Sequence, residues 1–159
     1  MLKKDYKLTI SELKNFSYIE RCLKESLRLY PSAPFISRRL NHDCQLNKYT
    51  LPAGATCNIH IYEIHRNPEF WPNPLVFDPD RFLPENIKGR HPYSYIPFSA
   101  GLRNCIGQKF AMAEMKVMVA FILHNFALEP MIELDDVKMA ADVVLRSAHP
   151  IPLKFIPLR

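Results

Sequence analysis

Phe98-Ser99-Ala100-Gly101-Leu102-Arg103-Asn104-Cys105-Ile106-Gly107 is the stretch on which the reading of this chain turns. It sets one cysteine between two glycines, just before a run that reads as a helix from about Gln108 to Phe126. A helix start suits a thiolate, because orphan backbone N–H groups and the positive end of the helix dipole stabilise the anion and hold the sulfur as a metal ligand. Gly101 permits a tight turn, Gly107 lets the backbone approach a flat ligand closely, and Arg103 can reach a carboxylate. Phe98 is placed to cover the sulfur. A lone cysteine is ordinarily a small buried hydrophobe, and that is the reading for Cys22, Cys44 and Cys57. For Cys105 the pattern F-x-x-G-x-R-x-C-x-G decides otherwise, since five fixed identities occur by chance in roughly one chain in ten thousand or fewer.

Upstream, Thr9 with Glu12 and Ser17 with Glu20 are two successive capping-box signals, giving a short helix from about Ser11 and a longer one from about Tyr18 that ends before Pro31. Ile19, Cys22, Leu23, Leu27 and Tyr30 recur at helical spacing and form one buried stripe. Between Ile36 and Ile61 the chain reads as short strands, with Cys57, Ile59 and Ile61 alternating with polar residues after the turn-like Pro52-Ala53-Gly54. From Asn67 to Pro97, seven prolines interleaved with Phe70, Trp71, Phe77, Phe82, Tyr93 and Tyr95 exclude helix and central strand and leave an aromatic-pinned meander. Downstream, Val117 to Leu123 is apolar all round, the mark of a central helix buried on every side. Val143-Val144-Leu145 and Leu153-Lys154-Phe155-Ile156 read as strands about a turn at His149-Pro150. The fold class is therefore mainly α with a small β component, α+β, with a small mixed sheet, and no repeat or domain boundary interrupts it.

Composition fits this picture: 159 residues with 48% apolar and 23% charged content describe one globular unit, and 14 prolines against 4 glycines describe stiff, packed connections. The net charge of +5 is dispersed over Lys3, Lys4, Arg38, Arg39, Lys88, Arg90, Arg103, Lys109 and others. That supports no nucleic-acid partner and reads as a solvated surface or a patch for an acidic protein or membrane. The cysteines form no C-x-x-C pair, so reduced thiols are expected rather than zinc or disulfides. His60, His65, His91, His124 and His149 lack ligand spacing and read as surface or core residues. The longest apolar run is far below the ~20 residues a bilayer requires, and Met1-Leu2-Lys3-Lys4-Asp5 is polar, so no anchor is expected within this chain.

The cysteine loop resembles the heme-binding signature of the cytochromes P450, which implies two upstream landmarks in order. Both occur: Glu25-Ser26-Leu27-Arg28 within Lys24 to Pro31, and Phe77-Asp78-Pro79-Asp80-Arg81-Phe82. Alone, Glu25 and Arg28 would read as an ordinary i,i+3 surface pair, with Arg21 a rival partner at i,i+4. The resemblance instead implies a buried Glu25, Arg28, Arg81 cluster, in which one carboxylate satisfied by two planar guanidiniums locks an irregular segment. It further implies Cys105 as the iron ligand, with Phe98, Gly101, Arg103, Gly107 and Arg38 around the heme (iron protoporphyrin IX). Arg38, preferred to Arg39, would serve a propionate, and Pro34, Phe35, Ile36, Ala148 and His149 would line a substrate pocket. The likeness runs from Leu13 to Leu158. It is closest to the microsomal fatty-acid ω-hydroxylase branch, the fourth family, with an animal or insect flavour in Phe77 to Asn86 and Arg90 to Phe98. Leu102 departs from it, standing where that branch usually has proline.

The resemblance implies that residues 1–159 are a single partial domain, the C-terminal heme-binding part of a monooxygenase, carrying no catalytic group beyond the iron ligand and leaving one face of the central helix without its natural partner. A thiolate ligand pushes electron density into the iron and favours O–O cleavage, which is monooxygenase chemistry. Electrons would come from NADPH through a flavoprotein reductase, steered by Lys109 and Arg90, and the substrate would be a lipophilic small molecule such as a fatty acid. The whole protein would sit at the endoplasmic reticulum membrane, facing the cytosol, associated through a missing N-terminal segment. Two alternatives stand beside this: a non-catalytic truncated remnant, and a heme-thiolate isomerase or lyase acting on peroxides.

Overall fold

Proline decides where this chain can be regular. In the computed structural model, which describes Thr9 and residues 11–158, helix α1 spans Ser17–Leu29 and stops two residues before Pro31. The polar start Met1 to Asp5, with Lys3 and Lys4, lies outside the described residues. Ahead of α1, a 3-10 turn over Glu12–Asn15 is closed by Thr9, whose backbone N–H and hydroxyl donate to Glu12 Oε2 at 2.9 and 2.6 Å. The second capping box does not form. Phe16 takes the cap position of α1 without a side-chain bond, and Glu20 turns to Lys116 and Lys24 instead. Two ammonium partners outcompete one exposed amide for a carboxylate.

The stripe on α1 buries Leu27, while Ile19, Cys22, Leu23 and Tyr30 are half-buried; the same helix also buries Glu25, Arg28 and Leu29. The expected mixed sheet is instead, among the described residues, four separate two-stranded antiparallel ladders. β1 (Ile36–Arg39) pairs with β4 (Thr56–Ile59), with Arg38 opposite Cys57, and β2 (Cys44–Gln45) pairs with β3 (Thr50–Leu51). The alternation seen in the sequence holds through Ile59, but Ile61, fully buried, opens the one-turn helix α2 (Ile61–Ile64).

The proline-rich segment is irregular but not free of helix. It contains 3-10 turns at Pro79–Phe82 and Pro92–Ser94 and a one-turn helix α3 (Pro84–Ile87), each with proline at its start. Proline lacks an N–H that the first turn does not use, so it breaks long helices yet starts short ones. Its aromatic residues form the pins: Trp71, fully buried, lies 5.9 Å from the Phe82 ring, and Phe82 meets Tyr95 edge-on at 4.8 Å. The Trp71 indole N–H donates to the Ser94 carbonyl at 3.2 Å.

α4 (Gln108–Asn125) leads directly into β5 (Phe126–Pro130), which pairs with β8 (Leu153–Pro157). α4 is not buried on every side, and its exposure agrees with the face that a partial domain was expected to leave without a partner: Lys116 and Ala120 are its buried residues, while Phe110, Met118 and Phe121 are 72%, 56% and 65% exposed. The apolar surround of α4 exceeds what α1 alone covers in this chain. Val143 and Val144 are not in a strand. β6 (Met139–Ala141) pairs with β7 (Leu145–Ser147), so Asp142 to Val144 must reverse the chain between them.

Candidate functional site

Gly101 sits at φ +77° and Ser99 at φ +64°, so the loop before Cys105 is built on two left-handed residues, one of them not glycine. The Cys105 N–H donates to the Phe98 carbonyl at 2.9 Å, closing the loop so that the cysteine falls three residues ahead of α4. A Cβ on Gly107 would stand 3.8 Å from Cys105 Sγ, so the glycine keeps that flank of the sulfur open. Cys105 is exposed, and Leu102 and Ile106 beside it project fully outward.

This loop forms one wall of a cavity of about 420 Å³, where Phe98, Arg103 and Cys105 face Leu27, Ile36 and Arg38. Arg38 reaches across from β1 and donates to Ser99 Oγ at 3.3 Å and to the Ser37 carbonyl at 2.9 Å. Among the described residues neither Arg38 nor Arg103 is recorded in an ion pair. A soft sulfur, two guanidiniums without a carboxylate and outward apolar side chains suit a flat, apolar group that carries carboxylates and a metal taking a thiolate. Of the five residues expected at a substrate pocket, Ile36 lines this cavity and Pro34, Phe35, Ala148 and His149 do not. The Leu145 N–H donates to the Ser32 carbonyl at 2.8 Å, which ties the start of β7 to the segment leading into β1.

Behind the loop the structure brings Glu25, Arg28 and Arg81 together. Arg28 uses all five guanidinium N–H groups: Nε and Nη2 donate to the two Glu25 oxygens at 2.7 and 2.8 Å, and the remainder reach the carbonyls of His65, Pro74 and Val76. Arg81 Nε stands 3.4 Å from Glu25 Oε1, and its Nη groups donate to the Pro72 and Asn73 carbonyls at 2.6 and 2.9 Å. Glu25 and Arg28 are fully buried, and Glu25 Oε1 also accepts the Asp78 N–H at 2.9 Å. The cluster thus supplies hydrogen bonds to a backbone that has no ladder of its own. Arg21, the rival partner for Glu25, pairs instead with Asp80 at 3.4 Å.

Sequence reasoning took His65 for a surface or core residue, and the structure makes it core. Its ring is fully buried between the cluster and the loop: the Ile96 N–H donates to Nε2 at 2.8 Å, and Nδ1 lies 3.2 Å from the Arg28 carbonyl. Accepting at Nε2 leaves Nδ1 as the donor. Burial, reinforced by the charges of Arg28 and Arg66, pushes the imidazole down to about 4. A lone histidine at no ligand spacing gives no signal for this in sequence. Arg90 has contacts that the sequence did not suggest. Its half-buried guanidinium lies 4.2 Å from the Trp71 ring and donates to the Arg81 carbonyl at 2.9 Å, so it packs against the meander as well as carrying charge. Lys109 is exposed, at the rim of a second cavity of about 410 Å³ that shares Phe98 with the first.

A cysteine loop ahead of a long helix, backed by a buried glutamate and two arginines in a helix-and-short-ladder fold, defines a class that comparison then identifies. The Cytochrome P450 family model matches residues 1–155, and the chain belongs to that family. Its curated relatives carry fourth-family names: it is 46% identical over 147 residues to Probable cytochrome P450 4ac1 of Drosophila melanogaster and 45% identical over 145 residues to Cytochrome P450 4c21 of Blattella germanica. Human Cytochrome P450 4V2 is 43% identical over 152 residues. These alignments cover 92%, 91% and 96% of this chain, which spans 29% of the length of each relative. Among solved structures, the cytochrome P450DA heme domain matches with a TM-score of 0.90 at 31% identity, over 99% of this chain and 35% of that one. Cyanobacterial CYP120A1 with retinoic acid bound matches with a TM-score of 0.89 at 30% identity, over 99% and 36%.

Proposed function

We propose that residues 1–159 form one partial domain, the C-terminal heme-binding part of a heme-thiolate monooxygenase that inserts one atom of O2 into a lipophilic substrate such as a fatty acid. The observation that carries this reading is the meeting of the Cys105 thiol with the Arg38 and Arg103 guanidiniums in one cavity at the start of α4. Cys105 Sγ is the iron ligand. Arg38 and Arg103 hold the propionate carboxylates, Gly101 and Gly107 admit the flat ring, and Phe98 flanks the sulfur. Bound heme supplies the oxygen-activating chemistry, to which a thiolate ligand contributes electron density. The chain's own residues do the rest: they orient the sulfur, neutralise the carboxylates, and fix the loop to the Glu25, Arg28, Arg81 cluster.

The fourth-family likeness supports a fatty-acid-like substrate, with Pro34, Phe35, Ile36, Ala148 and His149 on its side of the site. Electrons come from NADPH through a flavoprotein reductase that approaches near Lys109. The whole protein works at the cytosolic face of the endoplasmic reticulum membrane. Among the described residues no helix is long and apolar enough to cross a membrane. The test is a titration of ferric heme into the chain. Wild type saturates at one heme per chain, Cys105→Ser weakens binding and changes the ligand-field spectrum, and Arg38→Leu weakens binding roughly ten-fold, the worth of one charge-assisted hydrogen bond. Identical titrations for wild type and Cys105→Ser would overturn the assignment.

A further inference from the structure

His65 joins the two halves of the site by bonds that only one protonation state can make. Arg28 Nη1 donates to the His65 carbonyl at 2.8 Å, and the His65 ring answers through Nδ1, 3.2 Å from the Arg28 carbonyl. On the other side of the ring Nε2 accepts the Ile96 N–H at 2.8 Å. Ile96 stands two residues before Phe98, whose carbonyl receives the Cys105 N–H, so one path from α1 to the cysteine runs through this imidazole, beside the bond that the Tyr95 hydroxyl donates to the Lys24 carbonyl of α1 at 2.9 Å. The Tyr95 ring stacks on the imidazole at 5.2 Å and closes it from water.

The geometry points to His65 as a positioning residue: its neutral ring fixes the cysteine loop to α1, and protonation of that ring releases the loop. This rests on the reading of the loop as the heme site. A proton on Nε2 would set N–H against the Ile96 N–H and leave both donors buried without an acceptor. The charged groups around the ring oppose that proton. Arg28 faces it from α1 and Arg66 follows it in the chain, while Tyr95, which faces it from the meander, is a phenol kept neutral by burial. The Glu25 carboxylate is already taken up by Arg28 and Arg81. The Arg28 and Leu27 carbonyls favour a charged ring, but burial outweighs them and two cations add to it, so the imidazole is held neutral and acid must break the link to the loop in order to charge it.

The test uses the 159-residue chain without heme, so that a failure of heme binding and a failure of this inference are read separately. Nitrogen chemical shifts of the imidazole give its tautomer and titration, and amide hydrogen exchange gives protection at Ile96 and Cys105, with the β5–β8 ladder as reference. The expected result is a proton on Nδ1 at neutral pH. Loop protection then falls roughly ten-fold or more between pH 6.5 and 4.5, ahead of the reference amides. In His65→Gln, whose amide oxygen accepts a bond but does not titrate, the fall is absent. A proton on Nε2 at neutral pH, or loop and reference amides losing protection together, would overturn the proposal without recourse to any variant. So would a His65→Gln chain whose loop loses protection over the same pH range as wild type.

Discussion

Replacing Arg28 with methionine, a side chain of similar reach, leaves the Glu25 carboxylate buried with Arg81 as its one remaining cation and the Asp78 N–H as its one remaining backbone donor. Both Glu25 and Arg28 are fully buried, and Arg28 places five hydrogen bonds, two on Glu25 and three on the carbonyls of His65, Pro74 and Val76. Breaking a buried pair from one side costs about 3–5 kcal/mol, because the surviving charge keeps its desolvation penalty. Set against a total of about 5–15 kcal/mol for a domain, that is about a fifth of the stability or more. It corresponds to a fall in Tm of roughly 6–20 °C. The exposed pair Arg146–Asp142, 3.1 Å apart, is the internal control, since Arg146→Ala should cost about 1 kcal/mol or less. Arg28→Lys should fall between the two, because an ammonium keeps the charge but has three donors and no fork. Urea unfolding followed by fluorescence of Trp71, the one tryptophan, measures all three variants. If Arg28→Met moved the midpoint no more than Arg146→Ala, the cluster would not be what holds the meander, and the reasoning would fail.

Other predictions follow from the same contacts. His65 has its folded pKa lowered to about 4 from an unfolded 6.5, so the stability that depends on its neutral form is complete above pH 6.5 and lost as pH falls toward 4. The loss should be about 3 kcal/mol in unfolding titrations, and His65→Gln should flatten that part of the profile. The Glu20 carboxyl is held low by its bonds to Lys116 and Lys24, so its contribution is present above the usual carboxylate range and lost on further acidification. Lys116→Met, which unties α4 from Glu20 and from the Leu13 carbonyl, should cost about 1–2 kcal/mol, against about 0.5 kcal/mol for the more exposed Lys24→Ala. The exposed apolar side chains on α4 should drive concentration-dependent association of this chain, and the double change Met118→Lys, Phe121→Glu should shift sedimentation toward monomer.

What could be read from residues alone was whatever depended on a fixed spacing. The cysteine loop, the Glu25-x-x-Arg28 step and the stop before Pro31 are local chemistry, and the structure places them on the elements their spacing implied. Burial by distant partners left no such trace. Glu20 read as a cap because it stands three residues after Ser17, yet its partner Lys116 is 96 residues away. α4 read as central because it is apolar all round, but periodicity cannot say which neighbour covers a face, and here much of it is open. Val143 and Val144 have strand propensity but fall where β6 must turn back into β7, and pairing overrides propensity. His65 could be read as a surface or core residue but not as a link, because its two backbone partners, Arg28 and Ile96, come from segments far apart in the chain.

The central claim is that Cys105 supplies a thiolate to iron, and the spectrum of the reduced carbon monoxide complex tests it most directly. The measurement belongs in the protein carrying the residues that its longer relatives have before this segment. Four single cysteine changes are compared with wild type. The account predicts a strongly red-shifted Soret band in wild type and in Cys22→Ser, Cys44→Ser and Cys57→Ser, whose cysteines lie apart from the cavity. Cys105→Ser should lose the band, because a neutral hydroxyl provides neither the charge nor the electron push. A red-shifted band that survived in Cys105→Ser, or that vanished in a folded protein lacking one of the other three thiols, would contradict it.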